Sequence, residues 1–242
     1  MPQPIRPMSA ESAALLSAEV HLHLVDLAQA DVPSPDWLEL LSDDERARTD
    51  RYHFDRDRRR FIRARCALRT ILGEYLEVEP RRLRFDYSPL GKPSLAAEFG
   101  GDLRFNLSHS HELALIAVTR GTAVGVDIEH LRPMSDMAAI VGRFFSSAER
   151  QAFEAVAADQ QIAAFFRCWT RKEAYLKALG EGMSRALDSF DVTLSHEEPA
   201  ELLHDAIDHT APARWRFTHL EPAPNYIGAC VVEGERVIRI HA

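Results

Sequence analysis

The two halves of this sequence repeat one another in order, and a chain that repeats itself must fold into two similar units. Leu41-Ser-Asp-Asp-Glu-Arg46 followed by Phe61-Ile-Arg63 has a counterpart in Phe145-Ser-Ser-Ala-Glu-Arg150 followed by Phe165-Phe-Arg167, both at an offset of 104 residues. Phe85-Asp86 matches Phe190-Asp191 at offset 105, and Leu103-Arg-Phe105 matches Trp215-Arg-Phe217 at 112, a drift that loop insertions explain. Ala117 then falls on Ala229 within two similar apolar strands. The expected architecture is α+β, a pseudodimer of two similar α/β halves, residues 1–123 and 124–242. The halves are expected to meet across a pseudo-two-fold axis, with the active site in the cleft between them.

Local patterns fill in each half. Val20 to Val25 alternates as a strand does. Ser42-Asp-Asp-Glu45 reads as a capping box opening a helix, Ser42 accepting from the N3 amide while Glu45 reaches back. From about Arg56 to Leu76 a longer helix places Phe61, Cys66, Leu68, Ile71, Leu72 and Tyr75 on its apolar side and leaves the arginines on the other. Leu83 and Phe85 mark a short strand, Gly91-Lys-Pro93 a turn, and Leu103 to Asn106, Leu113 to Thr119 and Val124 to Glu129 three more strands.

Composition excludes several classes. With 29 basic and 37 acidic side chains the formal charge is −8, which argues against a chain held to nucleic acid or membrane by bulk charge. Cys66, Cys168 and Cys230 lack metal or disulfide spacing and are expected to be reduced and buried. Met1 to Ala18 lacks the pattern of a secretory leader and no stretch is apolar enough to span a bilayer, so a bacterial-type cytoplasmic protein is expected.

Three motifs carry chemistry. In Gly125-Val-Asp-Ile-Glu129, residues two apart share a strand face, so Asp127 and Glu129 project together while Val126 and Ile128 turn the other way into the core. Paired carboxylates at the end of an apolar strand repel unless a counter-charge is present, and a hard divalent cation such as magnesium supplies one; the alternative is a solvated strand end. In Trp169-Thr-Arg-Lys-Glu-Ala-Tyr-Leu-Lys177, helical spacing puts Glu173 and Lys177 on one face, and only three lysines occur in the chain, Lys92, Lys172 and Lys177. The first-half counterpart of Glu173 is Arg69, so the halves have diverged here, as a single metal site would require. Phe105-Asn-Leu-Ser-His-Ser110 is read as a strand followed by a turn in which Ser108 and His109 could hold phosphate oxygens, the alternative being a structural histidine. Ten arginines lie between Arg46 and Arg69; most form a solvated face, and a subset could meet a multiply charged phosphate ligand.

Together and in this order, Gly91-Lys-Pro93, Phe105-Asn-Leu-Ser-His-Ser110, Gly125-Val-Asp-Ile-Glu129, Phe144-Phe-Ser-Ser-Ala-Glu149 and Trp169 to Lys177 resemble the Sfp-type 4′-phosphopantetheinyl transferase superfamily, over about residues 20 to 235. The resemblance implies the pseudodimeric 4′-phosphopantetheinyl transferase fold. The N-terminal half would carry the coenzyme A phosphate and adenosine elements, the C-terminal half the metal-binding and catalytic ones. It implies transfer of the phosphopantetheine arm of coenzyme A to a serine of an apo acyl or peptidyl carrier protein, with adenosine 3′,5′-bisphosphate released. Asp127, Glu129 and Glu173 match the family's magnesium ligands, a place manganese could also take. Glu149 matches an acidic residue assigned to the metal side or to the base, and Lys177 the lysine at the pyrophosphate. Ser108 and His109 match phosphate contacts, Lys92 and Pro93 the turn beside the adenosine, and Arg48 and Arg60 the 3′-phosphate contacts. Two departures stand out: Glu45 replaces a residue that is often basic, and His111 a residue that is often glycine.

The implied chemistry needs a catalytic base for the serine hydroxyl, either Glu173 or Glu149, directly or through water, with Lys177 beside the leaving bisphosphate. The segment Leu131 to Phe145, with exposed-looking Met134, Met137 and Ile140, is either a docking surface for the carrier's helix or ordinary core helix. A monomeric pseudodimer is expected. Two rivals are a relative that binds coenzyme A or a carrier without turnover, and a nucleic-acid binder using the arginine-rich helix.

Overall fold

A computed structural model describes residues 18–28, 35–99, 101–180 and 184–241. Met1 to Ser17, most of the segment expected to lack a leader, lie outside the described residues. The chain forms two compact units, residues 1–120 with 238–242, and residues 121–237.

In the first unit, strand β1 (Glu19–Asp26) leads into helices α1 (Pro35–Leu40), α2 (Asp43–Thr49) and α3 (Asp55–Leu76), then β2 (Phe85–Tyr87), β3 (Pro93–Leu95), β4 (Leu103–Ser110) and β5 (Leu113–Arg120). Helix α2 opens on the capping box of Ser42 and Glu45. Helix α3 carries Asp55 and Asp57 in its first turn, where the helix dipole favours them, and stops at Glu77, whose φ of 53° is left-handed. Its Leu68, Leu72 and Tyr75 pack with Phe105, Ile116 and Val118 of the sheet in one core cluster.

The second unit runs β6 (Val124–His130), α4 (Met137–Phe144), α5 (Ser147–Glu154), α6 (Gln161–Leu179), β7 (Phe190–Val192), β8 (Leu202–Asp205), α7 (Ala211–Arg214), β9 (Trp215–Leu220) and β10 (Tyr226–Glu233). Its core gathers Phe145, Phe165, Phe166, Tyr175, Trp215, Ile227, Ala229 and Val231 around α6, which ends at Gly180 with φ 78°. A final strand, β11 (Val237–His241), joins the sheet of the first unit as an edge.

Sheet topology repeats as the sequence does. The first unit orders its strands β11-β1-β5-β4 and the second β6-β10-β9, with a small two-stranded sheet in each, β2-β3 and β7-β8. Setting β11 aside, β1, β5 and β4 occupy the places that β6, β10 and β9 take in the strand order. The observed division comes after residue 120 rather than the expected 123, and residues 238–242 return to the first unit, where β11 pairs with β1.

The most detailed element of the repeat is a buried ion pair. In the first unit Glu45, 1 % exposed, accepts from Arg65 Nε at 2.7 Å and Arg69 Nε at 2.6 Å, and Arg69 also donates to the carbonyls of Pro80 and Leu83 on either side of a 3₁₀ turn. In the second, Glu149 accepts from Lys172 Nζ at 2.8 Å, and Lys172 also donates to the carbonyls of Leu187 and Phe190 around the matching turn. Each capping glutamate thus ties its short helix to the long helix and each cation ties the long helix to the small sheet. The expected solvated face leaves out two of these arginines: Arg65 and Arg69 are buried because Glu45 is there to neutralise them. The pairing also gives Glu45, at a position often basic in the family, a structural task.

Candidate active site

Strand β6 alternates as its sequence requires, with Gly125, Asp127 and Glu129 on one face, and Val126 and Ile128 buried on the other. The carboxylate face is itself packed, since helix α6 lies against β6 and the paired residues Ile227, Ala229 and Val231 of β10 belong to the core on that side. Both faces of the strand are therefore covered, and Asp127 is 5 % exposed.

Gly125 permits this close approach. A Cβ there would lie 2.1 Å from the Ala174 carbonyl oxygen and 2.4 Å from the Ala178 amide of α6, so only glycine lets the helix settle. In the sequence, a glycine inside a strand pattern is the signal that marks such close backbone approach. With α6 in place, Lys177 Nζ sits 2.7 Å from Asp127 Oδ1. Glu129 pairs with Arg132 at 3.0 Å, a partner the motif did not include. Burial, and then the negative charges of Asp127 and Glu129, push the Glu173 carboxyl above the ordinary carboxylate range, while Lys177 pulls it back. Asp127, Glu129, Glu173 and Lys177 thus form one electrostatic group.

These donors suit a hard divalent cation, since the negative charges of Asp127 and Glu129 beside Glu173 favour a positive charge among the three. Among the described residues no group of three His, Cys, Asp or Glu side chains is already drawn together as a metal site. Asp127 and Glu129 are held by Lys177 and Arg132 instead, so the ligands would have to converge on the ion.

Glu149 stands apart from this group. It is 2 % exposed, caps α5 by accepting from the Ser146 amide at 2.9 Å, and accepts from the Val192 amide at 2.9 Å as well as from Lys172. Burial raises its carboxyl, and Lys172 opposes the shift. The Phe-Phe-Ser-x-x-Glu run is a helix start of the same kind as Ser42 to Glu45, and it leaves the Glu149 carboxylate engaged on both oxygens.

In the first unit the Gly91-Lys-Pro93 turn forms as expected between β2 and β3, with Gly91 at φ 80° and the Ser88 amide bonded to the Lys92 carbonyl at 2.9 Å. Burial lowers the Lys92 ammonium from its ordinary value. Ser108 and His109 lie in strand β4 rather than in a turn, because their backbone pairs with Leu115 and Ala114 of β5. Adjacent strand residues face opposite ways, and accordingly Ser108 is buried and His109 exposed. The turn comes after Ser110, and His111 takes a φ of 55° at the first position of a two-residue hairpin loop, where glycine is the usual occupant. Arg48 is exposed with its guanidinium 5.1 Å from the centre of the Phe61 ring. Arg60 is held near Glu112 at 3.6 Å and Asp57 at 3.8 Å. Met134, Met137 and Ile140 are half-buried against the core of the second unit rather than exposed.

Comparison with known proteins finds relatives over most of the chain. Residues 123–231 match the family model described as 4′-phosphopantetheinyl transferase superfamily, and residues 34–121 that described as 4′-phosphopantetheinyl transferase, N-terminal. The chain is 44 % identical over 221 residues to the 4′-phosphopantetheinyl transferase HetI of Nostoc sp., covering 91 % of this chain and 90 % of that protein. It is 35 % identical over 183 residues to the 4′-phosphopantetheinyl transferase psf-1 of Bacillus pumilus, covering 76 % of each. Among solved structures, the holo-[acyl-carrier-protein] synthase of Thermotoga maritima superposes on 47 % of this chain and 64 % of its own, with a TM-score of 0.37 and 19 % identity.

Proposed function

The chain belongs to the 4′-phosphopantetheinyl transferase superfamily, and from that premise we propose that it moves the 4′-phosphopantetheine group of coenzyme A onto a serine of an apo acyl or peptidyl carrier protein, in a magnesium-dependent reaction that releases adenosine 3′,5′-bisphosphate. The observation that carries this reading is the electrostatic group of Asp127, Glu129, Glu173 and Lys177, set where strand β6 meets helix α6.

Asp127, Glu129 and Glu173 would hold magnesium, which when bound supplies positive charge to the pyrophosphate oxygens. Lys177 adds a second positive charge beside the leaving bisphosphate, where negative charge develops as the bond to the bridging oxygen breaks. Glu173 is assigned as the base that takes the serine proton, directly or through water. It is partly exposed and its proton affinity is raised by burial and by its neighbours, whereas the Glu149 oxygens are occupied by two amides and Lys172. In this reading Glu149 and Lys172 set the position of α6 and take no part in proton transfer.

The coenzyme A contacts are assigned to the first unit: Lys92 and Pro93 to the adenosine, Arg48 and Arg60 to the 3′-phosphate, and His109, the exposed member of its pair with Ser108, to phosphate oxygens. Carrier docking is assigned to the segment Leu131 to Phe145, where Ala138, Ala139, Gly142 and Arg143 form the exposed side of α4. The nucleic-acid alternative loses ground because Arg65 and Arg69 are buried on Glu45 and Arg60 faces two carboxylates.

Incubation with coenzyme A, magnesium and an apo carrier tests the proposal by mass spectrometry. The carrier should gain one phosphopantetheine, chelation should stop the gain, and added magnesium should restore it. No gain across a panel of carriers that a control transferase modifies would refute it.

A further inference from the structure

The second unit contains a cavity of about 510 Å³ that none of Asp127, Glu129, Glu173 or Lys177 lines. Its size falls in the range of small-molecule sites. Its walls include Leu131, Ala163, Pro224, Tyr226 and Ile227, and of Gln160, Arg167, His196, Glu221 and Asn225, which also line it, only Arg167 is buried. Arg167 is 6 % exposed, and its Nε donates to the Leu194 carbonyl at 3.0 Å. Among the described residues it makes no close ion pair, and Glu221, on the cavity wall, acts on it only through space.

One turn further along α6 the pattern recurs. Arg171 is 1 % exposed, donates through Nη1 to Thr193, and has a buried Nε without an acceptor. Burial and the charge of Arg167 draw its guanidinium down to about 10. Elsewhere in this chain buried cations have direct carboxylate partners: Arg65 and Arg69 on Glu45, Lys172 on Glu149, Arg185 on Asp205. The one acid that lines the cavity, Glu221, is exposed and sits 3.3 Å from His219. A buried guanidinium is costly unless an anion neutralises it, and here the open side of that guanidinium is the cavity.

We propose that this cavity binds a small organic carboxylate, its two oxygens on the free edge of Arg167 and its apolar body against Leu131, Ala163, Tyr226 and Ile227. A planar carboxylate matches the guanidinium fork with two parallel hydrogen bonds, and its apolar tail meets the apolar walls, a contact that phosphate cannot make. Of the residues assigned to the transfer reaction, only Leu131, at the start of the proposed docking segment, lines this cavity.

The test uses the full chain and ligand-observed NMR titration with three probes: hexanoate, hexanamide and inorganic phosphate. Hexanoate should saturate, and hexanamide and phosphate should each bind at least about tenfold more weakly, because the charge-assisted pair or the apolar contact is missing. Arg167→Gln should weaken hexanoate by about tenfold or more. Ala163→Leu adds bulk to the wall beside Arg167 while leaving the Arg167–Leu194 bond in place, so it should weaken hexanoate even if Arg167→Gln fails to fold. Arg143→Gln, on the exposed side of α4, should leave binding unchanged. Equal affinity for hexanamide or phosphate, absence of saturation, or normal hexanoate binding by Ala163→Leu would each overturn the proposal.

Discussion

Replacing Gly125 with alanine probes the junction on which the candidate site depends. The added Cβ would lie 2.1 Å from the Ala174 oxygen, about 1.3 Å inside the 3.4 Å of an ordinary contact, and 2.4 Å from the Ala178 nitrogen. Neither obstacle is a flexible side chain: both belong to the backbone of a 19-residue helix, and β6 is itself fixed by its ladder to β10. Relief therefore requires α6 and β6 to separate by about 1 Å as bodies, an overpacking cost of about 1–3 kcal/mol. The same displacement opens the 2.7 Å contact between Lys177 and Asp127 and moves Glu173 away from the strand carboxylates. A misplacement of that size costs about 10²-fold in rate. The assay pairs urea unfolding with transfer of phosphopantetheine to an apo carrier, and Gly142→Ala serves as the control for the unfolding arm, because a Cβ at Gly142 meets nothing within 4 Å. Gly142→Ala should be neutral or slightly stabilising, whereas Gly125→Ala should lose both stability and rate. A Gly125→Ala protein with the parent's unfolding midpoint and activity would refute the argument that glycine sets the helix-to-strand distance.

Three further outcomes are expected. Glu149→Gln leaves the Lys172 ammonium buried without its counter-charge and should lower stability by about 3–5 kcal/mol in urea unfolding; an intact midpoint with lost transfer would instead make Glu149 a catalytic residue. Asp127→Ala should abolish metal-dependent transfer with the circular dichroism spectrum retained, and near-normal activity would contradict the ligand assignment. Burial, then the charges of His241 and His21, lower His23 from 6.5 to about 3, so the folded protein holds it neutral while the unfolded chain protonates it below its ordinary pKa. Stability should therefore be fully present above pH about 6.5 and fall with acidification below it, by about 1.4 kcal/mol per pH unit from this group. Between pH 6.5 and 5 the dependence of the urea midpoint should be shallower in His23→Gln, and an unchanged slope would remove His23 as its source.

Features that depend on near neighbours along the chain were legible in the sequence. Capping boxes at Ser42 and Ser146 need only a hydroxyl and a glutamate three residues apart, and both form. Strand period places Asp127 and Glu129 on one face whatever packs there, and the ordered matches between the halves correspond to two copies of one sheet order. What the linear pattern could not separate was the role of each charge. Glu149 and Glu173 are both acidic residues in family motifs, but one is bonded to two amides and a buried lysine, and the other shares a site with Asp127 and Lys177. Arg65 and Arg69 look like their solvated neighbours on α3 until Glu45, twenty or more residues away, is folded against them. The Asn-Leu-Ser-His-Ser run reads as a turn from its polar composition and is held in a strand by β5. The physical reason is common to all of these. Backbone caps and strand period are settled by residues three or two positions apart, whereas desolvation and ion pairing depend on which distant groups the fold brings within a few ångströms.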